Sequence, residues 1–97
     1  MTRCPAYNIP KKCLEDAHEL LNIIKALLPY GLEIVKIEWN SNIFSIYIQT
    51  ESIKPVKHSL LFINIFNHLE SLGWKYHNFD LNGNTYILQI WDKLASF

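Results

Sequence analysis

Four histidines, two cysteines and a close pair of carboxylates are the residues from which this 97-residue chain could build a reactive centre. The histidines are His18, His58, His68 and His77, the cysteines Cys4 and Cys13, and the carboxylates Asp16 and Glu19. A zinc site would draw on Cys4, Cys13, His18 and a fourth ligand. Structural zinc sites space their ligands at short, regular intervals, and this set does not. A nucleophilic Cys13 needs a depressed pKa and a placed base, and no residue pattern supplies either. Asp16 and Glu19, one turn apart on a helix, read as a solvated charge stripe. With only three glycines the chain has no phosphate-cradling loop, and it carries no H-E-x-x-H and no nucleophile elbow. The expectation is a protein that is not an enzyme and uses no cofactor and no metal.

The richer chemistry is aromatic. Tyr47, Trp74, Tyr76 and Trp91 combine large apolar surface with a polar atom, which suits them to recognition. What they can do depends on the elements that carry them. Those elements come in two similar stretches. Residues 22–50 and 64–92 align without a gap at an offset of 42. The identities are Asn22/Asn64, Ile23/Ile65, Leu27/Leu69, Gly31/Gly73, Asn40/Asn82, Asn42/Asn84 and Ile48/Ile90, where average composition gives roughly two by chance. Similar pairs such as Leu32/Trp74, Ile37/Phe79, Phe44/Tyr86 and Ile46/Leu88 reinforce the match.

In each stretch a helical pattern precedes two strand patterns. Leu14, Ala17, Leu21, Ile24 and Leu28, with Leu20 and Leu27, follow the i, i+3, i+4 rule and predict a helix from Lys11 or Lys12 to Leu28. Pro29 and Gly31 end it. Phe62, Ile65, Phe66, Leu69 and Leu72, widened by Leu61 and Ile63, predict a second helix from Val56 or Lys57 to Leu72, ended by Gly73. Leu32 to Trp39 and Ile43 to Thr50 read as one hairpin, Trp74 to Leu81 and Asn84 to Trp91 as another, turning at Asn82-Gly83. Residues 1–10 read as an extended N-terminal arm and residues 11–97 as a single domain of two αββ units, about 11–52 and 56–94. The fold class is α+β, in the order α-β-β-α-β-β: a four-stranded antiparallel sheet with both helices on one face. Strand orders 2-1-3-4 and 1-2-4-3 both suit such a pair of units.

A two-residue turn at Asn82-Gly83 pairs Leu81 with Asn84, Phe79 with Tyr86, His77 with Leu88 and Lys75 with Ile90. Its counterpart pairs Ile37 with Phe44, Val35 with Ile46 and Glu33 with Ile48. Opposed residues share a face, and this more apolar set belongs under the helices, with His77 as a core histidine. The helix-free face then gathers Ile34, Tyr47, Trp74, Tyr76, Ile87, Gln89 and Trp91. These seven are the candidate binding residues, since large exposed apolar patches mark interaction sites. Alternatively, the termini themselves, the arm or Leu94 to Phe97, cover this face.

Composition narrows the partner. Lys+Arg and Asp+Glu number nine each, giving zero net charge, whereas nucleic-acid and anionic-membrane binders carry a basic excess. No apolar run is long enough to span a bilayer and no secretory signal is visible. The expected function is protein–protein contact through the aromatic sheet face, of inhibitor, immunity, anti-defence or adaptor type, in the cytoplasm. The partner is another protein or a second copy in a homodimer. The alternative is a nucleic-acid or small-ligand binding module using the same face.

Overall fold

The computed structural model describes residues 6–7, 14–51 and 55–93. Its elements run β1 (Ala6–Tyr7), α1 (Leu14–Leu27), β2 (Leu32–Asn40), β3 (Ile43–Thr50), α2 (Pro55–Ser71), β4 (Lys75–Asn82) and β5 (Thr85–Trp91). From α1 onward the order is α-β-β-α-β-β, an α+β fold with both helices packed on one face of four antiparallel strands. The strands lie in the order β1-β2-β3-β5-β4, so the two hairpins join through β3 and β5. Of the two orders open from sequence, this is 1-2-4-3. Part of the expected arm adds a fifth strand: β1 pairs in parallel with β2 at Ile37 and Glu38. The rest of that arm, both cysteines and Leu94 to Phe97 lie outside the described residues.

Each helix buries one stripe. α1 sends Ala17, Leu20 and Ile24 into the core, while Leu14 and Leu27 stay at the surface. Glu15 and Asp16 occupy its first turn, where the helix dipole favours negative charge. α2 buries Phe62, Ile65 and Leu69. Its C-terminus is closed by Gly73 at φ +96°, with Gly73 N–H donating to Glu70 O (3.1 Å) and Trp74 N–H to Leu69 O (3.0 Å). This is the Schellman pattern, and both residues of its closing bond, Leu69 and Trp74, are buried.

The hairpins differ from expectation in register. Asn82 pairs with Thr85, so the tight loop is Gly83-Asn84; its counterpart is Ser41-Asn42, between Asn40 and Ile43. A shift of two residues keeps the faces, and Phe44, Ile46, Ile48, Tyr86, Leu88 and Ile90 are buried under the helices. What changes the faces is a bulge in each outer strand. The ladder skips one residue between Ile34 and Lys36 and one between Tyr76 and Asn78. The extra residues are Val35 and His77, the same 42 residues apart as the two stretches. An extra residue inverts alternation beyond it. Glu33 and Lys75, expected under the helices, therefore oppose Gln49 and Trp91 on the open face, and Ile34 opposes the buried Ile48. Two charged side chains stay in water and two apolar ones enter the core, which is the arrangement burial energetics favour.

Candidate interaction face

The helix-free side of the sheet forms four rungs, read from β4 across to β2. The first is Lys75, Trp91, Ile43 and Asn40; the second Asn78, Gln89, Ser45 and Glu38. The third is Asp80, Ile87, Tyr47 and Lys36; the fourth Asn82, Thr85, Gln49 and Glu33. Of the seven candidate residues, Tyr47, Ile87, Gln89 and Trp91 stand together on this face. The other three do not. Ile34 is 8% exposed and Trp74 2% exposed, both in the core on the helix side. Tyr76 is 46% exposed but also turned to the helices, its ring 4.4 Å from that of Phe66. The bulges explain all three misplacements, since each precedes the extra residue of its strand. His77, expected in the core, is exposed on the open face, with its ring 5.0 Å from Trp91 in an edge-to-face arrangement.

Local contacts hold the face in one arrangement. Asn78 Nδ2 donates to Gln89 Oε1 (3.4 Å), and Gln89 Nε2 donates to Ser45 Oγ (3.3 Å), a polar ladder across three strands. Lys36 Nζ lies 4.2 Å from the Tyr47 ring centroid and 3.8 Å from Glu38 Oε1. A hydrogen bond to Glu38, aided by burial and by the negative charge of Glu38, pushes the Tyr47 phenol above its ordinary pKa. Glu38, Trp39, Asn40, Ser45 and Tyr47 line an open recess of about 440 Å³ at one side. The outcome is two aromatic spots, Trp91 with His77 and Tyr47 with Lys36, separated by an amide-rich rung.

Two polar pairs elsewhere escaped sequence reasoning. His58 Nδ1 and the Tyr86 hydroxyl share a hydrogen at 2.6 Å inside the core. Trp39 Nε1 donates to the buried Asp92 Oδ2 at 2.7 Å, and Asp92 N–H donates to Asn42 O at 2.8 Å, fastening the end of β5 to the first hairpin turn. Residues 28 and 53 positions apart leave no periodic trace in sequence. Among the described residues, no group of three histidine, cysteine, aspartate or glutamate side chains could hold a metal ion. No helix among them is long and apolar enough to cross a membrane. Compared with protein-family models, curated proteins and solved structures, the chain matches none.

Proposed function

We propose that this is a small, non-enzymatic binding protein that acts by gripping another protein with its helix-free sheet face, in the manner of an inhibitor, immunity, anti-defence or adaptor protein of the cytoplasm. The observation that carries the reading is the position of Tyr47 and Trp91. They sit on the two central strands, partly exposed, with Ile43 and Ile87 beside them and both helices on the opposite side. Aromatic side chains on a rigid sheet present large contact area at little entropic cost, and an amide ladder between them offers directional hydrogen bonds. Both helices bury their apolar stripes on the opposite side of the sheet, which leaves this face uncovered by either of them.

Stacked bases would also use aromatic residues on central strands. The charges argue for protein: Lys36 and Lys75 share the rungs with Glu33, Glu38 and Asp80, so phosphates meet no basic stripe. The test compares wild-type protein with Tyr47→Ala/Trp91→Ala as bait for cell extract, with nuclease treatment and a salt series. The expected outcome is one protein captured by wild type, lost by the double variant and retained through about 0.5 M salt. Identical capture by both baits overturns the proposal. So does capture that disappears with nuclease or falls steeply with salt, which would transfer the face to nucleic acid.

A further inference from the structure

β2 and β4 are the outer strands of the two hairpins, and they end differently. β2 carries the strand Ala6–Tyr7 along its edge, whereas β4 forms the far edge of the sheet among the described residues. An edge strand offers a row of backbone donors and acceptors to any extended segment. We propose that β4 pairs antiparallel with β4 of a second copy, making a homodimer with one continuous sheet.

The sequence of β4 is complementary to itself in one register. Lys75, Asn78, Asp80 and Asn82 oppose open-face residues of β5, and Tyr76, Phe79 and Leu81 oppose core residues. His77 lies against Trp91 and shares the open face. A twofold axis between His77 and Asn78 sets Lys75 opposite Asp80, Tyr76 opposite Phe79 and His77 opposite Asn78. Every pair then joins residues of one face, as opposed positions in a sheet require. In an unbulged strand this register would set opposite faces against each other; the extra residue His77 restores the match. Shifting the axis onto Asp80 would place two carboxylates together, and shifting it onto Asn78 would mismatch Tyr76 with Asp80. The favoured register instead forms two Lys75–Asp80 ion pairs and stacks the aromatic residues of both copies on the helix side.

Apolar surface lies beside this edge. Tyr76 and Leu81 are 46% and 39% exposed, and Ile63 of α2, one turn before Phe66, is 53% exposed. Phe66 packs on both Tyr76 and Phe79, at 4.4 and 6.0 Å between ring centroids, so this flank of α2 borders β4. A second copy would cover it with the same residues, as an isologous interface must. Zero net charge offers no long-range repulsion against such pairing.

Sedimentation from about 1 µM to about 1 mM tests the proposal, because a weak dimer declares itself by mass action. Wild type should shift toward twice its monomer mass as concentration rises. Asp80→Lys, an exposed edge substitution, should weaken association about tenfold or more by setting like charges opposite each other twice. The double reversal Lys75→Asp/Asp80→Lys should bring dimerisation back, with far-UV circular dichroism confirming the fold of each variant. In wild type, hydrogen exchange of β4 amides should slow as concentration rises. A monomer throughout the range overturns the proposal. So does a dimer indifferent to Asp80→Lys but abolished by Tyr47→Ala/Trp91→Ala, which would assign self-association to the open face.

Discussion

Trp74 and Trp91 are equal in size and opposite in role, and the difference is measurable. The Trp74 ring is buried, 6.3 Å edge-on from Phe44, with Lys93 Nζ 4.9 Å from its centroid. Its Nε1–H is a buried donor with no acceptor among the described residues, so the site is held by packing and by the Lys93 ammonium over the ring. Trp74→Ala should cost about 3–5 kcal/mol of stability in urea unfolding. Trp91→Ala should cost no more than about 1–2 kcal/mol, since its ring is partly in water, while weakening the proposed partner contact. Equal losses for both would contradict this division. Titration adds a second check at residue scale. Tyr47 is raised above the ordinary tyrosine value by its bond to Glu38, and Tyr86 by burial. Below about pH 10 both phenols are protonated in folded and unfolded chains alike, so their contribution is intact. As pH climbs further, the unfolded chain releases its protons first, and stability falls until the folded values are passed. Tyr47→Phe should flatten that alkaline fall in a series of urea midpoints, and an unchanged slope would contradict it. None of this could be read from the sequence, because residue type does not reveal whether a tryptophan or tyrosine meets water.

At the scale of elements, the bulges decide which residues reach the open face of the sheet. Both helices, four of the strands and their order along the chain were legible from periodicity and from Pro29, Gly31 and Gly73. The faces were legible only up to the bulges. Val35 and His77 leave no composition signal, and a strand with one extra residue still reads as a plausible run. The one available hint was electrostatic: uninterrupted alternation would bury Glu33 and Lys75. Deleting Val35 should leave the faces of β2 unchanged, because Ile34 and Lys36 already pair with successive residues of β3 on opposite sides of the sheet. Val35 is 39% exposed, and Val35→Ala should cost under about 1 kcal/mol. Its deletion closes the bulge with Ile34 still opposite Ile48 and Glu33 opposite Gln49, so stability in urea unfolding should fall by no more than about 1–2 kcal/mol, and a collapse of the urea midpoint would contradict these faces. The turns give a prediction of opposite sign. Ser41 and Asn42 have φ of 52° and 67°, left-handed values that cost a β-carbon. Asn tolerates that region better than Ser, so Ser41→Gly should stabilise the hairpin by about 0.5–1 kcal/mol. A lower melting temperature for Ser41→Gly would show the turn to be set by something other than backbone strain.

The whole molecule depends on one seam. β3 and β5 pair along seven residues, from Ile43 opposite Trp91 to Gln49 opposite Thr85, and they alone join the two hairpins within the sheet. Phe44, Ile46 and Ile48 on one side of that seam and Tyr86, Leu88 and Ile90 on the other are almost wholly buried, beneath helices contributed by both halves. An αββ unit separated from its neighbour would expose its central strand edge and half its core. A chain of about 50 residues is already near the limit at which burial outweighs chain entropy. Fragments 1–53 and 54–97 should therefore be largely unstructured alone, giving a weak far-UV signal and sharp, poorly dispersed amide resonances. Mixed in equal amounts, they should recover helix and sheet, because β3–β5 pairing needs no covalent connection and the cut falls between the end of β3 at Thr50 and the start of α2 at Pro55. If either fragment folded alone, the seam would be a contact between two finished units. If the mixture stayed unfolded, connection through residues 51–55 would be essential to the fold. Recovery on mixing, with Tyr47 and Trp91 supplied by different fragments, would show that the proposed interaction face exists only once both halves are joined.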